Sequence, residues 1–304
     1  MKVLITGASG FIGSVIYNVF CRLEALEVVG CSRKGGYPLV NSPSLNALSD
    51  WTTVVEGVDV VIHTAARAHV LDESSSEPLT DFRRANVDGT IALAKQAAES
   101  GVRRFVFISS IGVNGSSNVE PFSECHAPNP ESDYAQSKFE AEVGLQELAK
   151  ETGLEVVIIR PPLVYGPNAP GNFGLLAKVV AKGVPLPLAK IRNRRSFVSI
   201  WNLVDLITVC LDHPKAAGEV FVVSDGDDVS TSDLLQKIGT ASGHPAKLFW
   251  VPRSILKVAV TLIGKRDVYD RLFSSLQVDA GHVRKTLEWS PPLSLDEGLR
   301  RCFY

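Results

Sequence analysis

The chain has 304 residues, is 45% apolar and carries 31 Lys and Arg against 33 Asp and Glu, for a net charge of −2. That length suits one large domain, or a large and a small one, with a sizeable core. Nothing in the near-neutral balance suggests a polyanion-binding surface, so nucleic acid is not an expected partner.

Short apolar runs alternate with helical patterns through the first half. Val3-Leu-Ile5 reads as a strand, Phe11 to Leu23 as a helix, and Glu27 to Ser32 as a second strand. Val58 to His63 is a further strand, entered through Glu56-Gly57, and Leu79 to Ser100 is a helix stopped by Gly101. Arg103 to Ser109 reads as a strand, Tyr134 to Thr152 as a helix closed by Gly153, and Leu154 to Arg160 as a strand. Continuous Val/Ile/Leu runs are the mark of strands buried on both faces. Their alternation with helices predicts an α/β fold, a doubly wound Rossmann-type parallel sheet over 1–160. Composition changes at Pro161-Pro162. From there the chain reads as a smaller, mainly substrate-binding part over 161–304, some of it returning to the main sheet. Its elements are a helix from Asn172 to Lys182, a strand near Phe197, a helix from Val204 to Asp212, a strand at Glu219 to Val223, and a last helix from Leu295.

The five cysteines, at 21, 31, 125, 210 and 302, form no CxxC pair and are odd in number. They read as reduced thiols of a cytoplasmic protein, not as a disulfide framework or a metal site. MKVLITGASGFIG interrupts its apolar run with glycines and is not a signal peptide, and no apolar stretch is long enough to span a membrane. Ser254 to Gly264 is apolar but short; it reads as a buried or surface-packed helix, with a peripheral membrane contact as the alternative.

Thr6-Gly7-Ala-Ser-Gly10-Phe-Ile-Gly13 follows the first strand directly and opens the first helix. Gly7 permits the tight turn, Gly10 lets the backbone approach a pyrophosphate, and Gly13 lets helix and strand pack closely. The free N–H groups and positive dipole end of the helix face the phosphates. The second strand ends in Ser32-Arg33-Lys34, where an NAD-preferring fold usually places an acid for the ribose 2′-hydroxyl. An arginine there can stack on adenine and pair with a 2′-phosphate, so NADP(H) is the preferred cofactor and NAD(H) the alternative.

Tyr134-Ala-Gln-Ser-Lys138 opens a helix, and its i, i+4 spacing puts phenol and ammonium on one face. A nearby ammonium is expected to lower the phenol pKa, making Tyr134 fit to trade a proton with a sugar hydroxyl. Ser110, at a strand end, can hold that hydroxyl or donate to a developing oxyanion; a plain turn or cap role is the bland alternative.

These elements resemble the extended short-chain dehydrogenase/reductases, in the group of nucleoside-diphosphate-sugar epimerases, dehydratases and 4-ketoreductases. Matching motifs are TGASGFIG at 6–13, VIHTAA at 61–66, NVDGT at 86–90, FISSIGVNG at 107–115, YAQSK at 134–138, RPPLVYGP at 160–167 and RRSFVSIWNLVDLI at 194–207. The resemblance implies Ser110, Tyr134 and Lys138 as the catalytic three, with Ser110 and Tyr134 also touching substrate. It implies a cofactor site of Gly7, Gly10, Phe11, Ile12, Gly13, Ser32, Arg33, Lys34, Ala65, Ala66, Asn86 and Pro161, together with Tyr134 and Lys138. Asn172, Arg195 and Arg271 would bind the diphosphate of a nucleotide-sugar, most closely a UDP-sugar. No metal is implied, and a homodimer through the helices at 79–100 and 134–152 is. Three features depart from the family pattern, one being Asn114 where a Tyr commonly follows the catalytic strand. The acid after the second strand is missing, and Ile111-Gly112 stand where dehydratases place acids, which disfavours 4,6-dehydration.

The reading this supports first is NADPH-dependent C4 reduction of a UDP-linked 4-keto-6-deoxy amino sugar for surface polysaccharide. NAD-dependent UDP-sugar 4-epimerisation needs the same residues. A non-catalytic NADP-binding sensor is the reading from another class, opposed by the retention of both Tyr134 and Lys138.

Overall fold

The computed structural model describes residues 1–68, 77–262 and 266–303. In chain order the elements are β1 (Lys2–Thr6), α1 (Phe11–Phe20), β2 (Glu27–Ser32), β3 (Val40–Asn41), α2 (Thr52–Val55), β4 (Val60–His63), α3 (Pro78–Arg83), α4 (Gly89–Glu99) and β5 (Arg104–Ile108). There follow α5 (Asp133–Thr152), β6 (Glu155–Arg160), β7 (Leu163–Tyr165), α6 (Gly171–Ala181), β8 (Phe197–Ser199), α7 (Ile200–Cys210) and β9 (Val220–Val222). The chain ends through α8 (Thr231–Ala241), α9 (Arg253–Leu262), α10 (Arg266–Phe273), α11 (Gly281–Leu287) and α12 (Leu295–Arg301).

Seven strands form one parallel sheet in the order β3-β2-β1-β4-β5-β6-β9. Alternate residues of each strand enter opposite cores. Val3, Ile5, Val60, Ile62, Val106, Ile108, Val157 and Ile159 face α1 and α7. Leu4, Val61, Phe105, Phe107, Val156 and Ile158 face α4 and α5. Because helices cover both faces, the strands carry no polar alternation. The order turns back at β1 and β4, so the crevice beyond their carboxyl ends is where a ligand has room.

Past Pro161 the chain is not self-contained: β9 returns to pair with β6 in the main sheet. What remains builds its own core, in which Tyr165, Phe173, Leu188 and Phe197 meet Leu234, Leu235 and Ile238 of α8 and Leu295 and Leu299 of α12. The short β7–β8 pair anchors this part. A buried carboxylate ties it together. Asp225 accepts from the Tyr165 hydroxyl at 2.7 Å, the Ser199 amide at 2.9 Å and the Asn202 side-chain amide at 2.7 Å.

One long helix was expected from 79 to 100; the structure is helical across that span, with a π-helical segment inserted. Arg84–Asp88 form a π-turn between α3 and α4. The additional residue turns Asn86 inward, where it is fully buried. Periodicity does not report such a turn, because it occupies only five residues within a pattern that resumes.

Removing the Asp225 carboxylate would leave the Ser199 amide and one Asn202 N–H unpaired in a dry core and the Tyr165 hydroxyl with only its 3.3 Å bond to the Leu295 carbonyl. Asp225→Ala is expected to cost about 2–4 kcal/mol of folding stability, measured by urea unfolding. A loss below about 1 kcal/mol would contradict the account of this clamp.

Candidate active site

The glycine turn holds its shape for steric reasons. Gly7 sits at φ +70°, and a Cβ on Gly13 would lie 2.2 Å from the Gly7 carbonyl oxygen. At Gly10 the nearest atom to an added Cβ is 3.2 Å away. Helix α1 starts without a side-chain cap and without an acid in its first turn, so its first amides are left for an anion. The Phe11 and Ile12 side chains pack into the cores, leaving their backbone to face the turn.

A cleft of about 460 Å³ opens above this turn. Gly7, Gly10, Ser32, Arg33, Ala65 and Ala66 line it, all expected from the sequence. Lys34 is exposed and does not line it. Asn86 stands behind the wall: its side chain accepts from the Arg67 amide at 2.8 Å and donates to the Arg67 carbonyl and the Ser137 hydroxyl. Pro161 is buried, and its carbonyl accepts from Ile111 N–H at 2.9 Å. Sequence reasoning missed two cations of this cleft, Arg67 and Arg84, which share the single carboxylate of Asp81 at 3.6 and 2.8 Å. Arg67 Nε is buried without a hydrogen-bond partner among the described residues. The turn, the uncapped helix end and the surplus cations fit a dinucleotide.

Tyr134 and Lys138 lie on the first turns of α5, which Ser132 caps by accepting from the Ala135 amide. Lys138 is buried and donates to the Ile108 carbonyl at 2.9 Å, with its ammonium 4.4 Å from the Phe107 ring centre and 6.0 Å from that of Tyr134. Phe82 of α3 packs edge-on against Tyr134. Burial pulls Lys138 down to about 7, partly opposed by Glu142, and pushes the Tyr134 phenol up to about 12. Here the structure corrects the expectation that Lys138 lowers the phenol: its ammonium is directed at a backbone carbonyl, and desolvation governs. Nearby His63 is pushed down to about 3, by burial first and Lys138 second. Its ring nitrogens meet the Thr6 and Thr90 hydroxyls at 2.7 and 3.0 Å.

Ser110 caps the short turn Ile111–Val113, accepting from the Gly112 amide at 3.1 Å. That use leaves its own proton free to donate. The turn packs on the start of α5: a Cβ on Gly112 would lie 3.3 Å from both Ala135 Cβ and Ser110 Oγ. Beneath it lies a feature that the sequence reading passed over. Glu142 accepts from the Ser109 hydroxyl at 2.5 Å and pairs with Arg160, whose Nη1 donates to Asn114. Both charges are buried. The available signal was spacing, since Glu142 is four residues beyond Lys138 and shares its buried face.

A second cleft, about 210 Å³, lies in the smaller part. Asn172, Arg195 and Arg271 line it together, with mostly apolar neighbours. Arg195 donates to the Arg271 and Ser274 carbonyls, and among the described residues neither guanidinium pairs with a carboxylate. Burial and the Arg271 charge both lower the Arg195 pKa, as expected where two cations lie close together away from water.

The model of the NAD dependent epimerase/dehydratase family matches residues 3–224. The chain belongs to that family. It is therefore an enzyme of the extended short-chain dehydrogenase/reductase type, and it binds NAD(P). A UDP-glucose 4-epimerase of Vibrio cholerae is 45% identical over 99% of this chain and 94% of its own length. A UDP-glucose 4-epimerase of Mycolicibacterium smegmatis is 28% identical over 99% and 97%. The solved UDP-glucuronic acid 4-epimerase of Bacillus cereus, in complex with NAD, has the same fold, with a TM-score of 0.80 at 23% identity over 100% of this chain and 96% of that one.

The buried lysine has a linkage consequence. Unfolded, Lys138 titrates near 10.4; folded and cofactor-free, at about 7. Between these values the folded chain binds fewer protons, so this group adds stability as pH rises from 7 and withdraws it as pH falls. Above about pH 9 the buried Cys31 and Cys210 thiols, pushed up to about 12, act in the opposite sense. The urea midpoint of the cofactor-free enzyme should therefore rise from about pH 7 to 8.5, and Lys138→Met should flatten that rise. An equal rise in both proteins would contradict the burial of an ionisable Lys138.

Proposed function

We propose that this enzyme is a UDP-sugar 4-epimerase in which Tyr134 and Ser110 handle the C4 hydroxyl beside an NAD(P) held on the glycine turn. The observation that carries the reading is the 45% identity to the Vibrio cholerae UDP-glucose 4-epimerase across almost the whole of both chains. Beneath it stand the Ser110–Tyr134–Lys138 group at the sheet edge and the pair Arg195 and Arg271, which meets no carboxylate among the described residues.

The roles follow from the chemistry of each group. Gly7, Gly10 and Gly13 admit the pyrophosphate, while Ala65 and Ala66 leave room for the dinucleotide. A nicotinamide held there would supply the hydride acceptor and donor for C4. Tyr134 receives the C4 hydroxyl proton and gives it back, and Ser110 donates a hydrogen bond to the same oxygen. The phenol pKa of about 12 belongs to the cofactor-free chain; with cofactor bound, a cationic nicotinamide together with the Lys138 ammonium would favour the phenolate, and Glu142 partly opposes the fall in the Lys138 pKa. Asn172, Arg195 and Arg271 hold the diphosphate while the sugar ring presents its other face.

One observation favours a second reading. Arg33 lines the cofactor cleft where an NAD-preferring fold carries an acid. An arginine there suits the 2′-phosphate of NADPH, and NADPH suits net reduction of a 4-keto sugar.

The two readings separate in one assay. The epimerase interconverts UDP-glucose or UDP-N-acetylglucosamine and the 4-epimer with no added reductant and no net change at 340 nm. The reductase consumes NADPH stoichiometrically with a UDP-4-keto-6-deoxy sugar. Tyr134→Phe should lower kcat by about 10²–10⁴ with UDP affinity unchanged, whereas Arg195→Ala should act mainly on KM. Full activity in Tyr134→Phe would overturn the assignment.

A further inference from the structure

The charge of this chain is unevenly placed. From Gly171 to Val204 it carries six cations and no Asp or Glu; from Ser242 to Arg266 it carries five cations and again no acid. These eleven belong to a total of 31, against 33 acids, so the rest of the chain is net −13. A chain of net charge −2 thus carries a strongly cationic region within a strongly anionic remainder.

The fold brings the two acid-free segments together. Leu186 pairs with Leu248, the Leu186 amide donates to the Lys247 carbonyl at 2.8 Å, and Phe249 N–H donates back to the Leu186 carbonyl at 3.0 Å. Lys190 lies 6.0 Å from the Trp250 ring centre. Lys182, Lys190 and Arg192 from the first segment, and Lys247, Arg253 and Lys257 from the second, are exposed. None of them makes an ion pair among the described residues.

Large apolar side chains stand out from the same region. Phe249 is 47% exposed, Trp250 59%, Ile255 59% and Val258 60%. Scattered apolar residues on a surface need no explanation, but four within ten residues, interleaved with lysine and arginine, form a patch. Helix α9 carries Ile255 and Val258 one turn apart, so they share a face. An aromatic pair leading into a short amphipathic helix with a basic flank suits the headgroup boundary of a bilayer.

We propose that this face docks the enzyme on an anionic lipid surface. Charge complementarity selects that occupant. A second copy seated on the same patch would bring like cations together, and a diphosphate substrate has no use for exposed Trp250 or Ile255. A bilayer with anionic headgroups satisfies both components, the cations at its surface and the apolar side chains at its acyl boundary. Depth is limited to the surface, since no helix among the described residues is long and apolar enough to cross. Leu175, 58% exposed, and Leu186 connect the patch to the Arg195–Arg271 cleft, which they line. Docking would therefore set the mouth of that cleft beside the membrane. This inference is independent of the 4-epimerase reading.

The test is co-sedimentation of the purified enzyme with phosphatidylcholine vesicles containing phosphatidylglycerol, against pure phosphatidylcholine, at low and high salt. Binding is expected only to the anionic vesicles, weakening with salt, with a blue shift of tryptophan emission that Trp250→Ser removes. Lys247→Ala with Lys257→Ala should weaken partitioning about 30-fold, and Trp250→Ser should weaken it further. Both variants should keep wild-type thermal unfolding and UDP affinity, which shows that the fold is intact. Equal binding to neutral vesicles, no binding to either, or binding unmoved by these variants would overturn the proposal. So would a wild-type dimer in solution that Trp250→Ser dissolves.

Discussion

The sheet edge that carries Ser110 depends on how α5 grips the end of β5. Lys138 donates to the Ile108 carbonyl, and one turn later Glu142 accepts from the Ser109 hydroxyl while pairing with Arg160 at the end of β6. Successive strand ends are thereby tied to one helix face. A buried ion pair of this kind adds little net stability. Losing one partner is costly, because the other is left uncompensated away from water. The pair therefore acts as a locator: it fixes where Ser110 leaves the sheet relative to Tyr134. Arg160 extends the same network to Asn114, whose side-chain amide donates to the Ser123 and His126 carbonyls.

Around this edge the two parts of the molecule supply complementary surfaces. The sheet offers a cleft with a bare helix N-terminus and more guanidinium than carboxylate. The smaller part offers a mainly apolar cleft with two guanidiniums and no counter-ion among the described residues. Segment 274–279 links them: its backbone pairs with Arg195 and Ser196 on one side and with Asn118 and Phe122 on the other. The Arg195–Arg271 cleft and the loop that follows Ser110 are thus braced against the same strip of chain.

Much of the architecture was legible because strands buried on both faces leave continuous apolar runs, and because Gly101 and Gly153 stop helices where a left-handed residue is needed. The shape of the glycine turn was legible because each glycine answers a steric demand. Other features were not. The π-turn at Arg84–Asp88 has no period of its own, so Asn86 looked like one more helical residue. The Glu142–Arg160 pair joins residues that a single sequence lists as ordinary charges, and only packing shows that both are dry. Helix α8 escaped notice because its cap, Ser230 with Asp233, sits in a run of polar residues resembling a loop. The pKa of Tyr134 was misjudged because spacing reports which groups are neighbours, whereas burial and the direction of the Lys138 ammonium decide what they do to each other.

The central claim is that chemistry occurs at C4 by removal and return of the same hydrogen beside the Tyr134 phenol and the buried Lys138 ammonium. The direct measurement is the fate of deuterium placed at C4 of the UDP-sugar during turnover in ordinary water. The account predicts that the 4-epimer keeps the label at C4, with no exchange into solvent. Loss of the label to water would contradict it, because the hydrogen would then have left as a proton and not as a hydride.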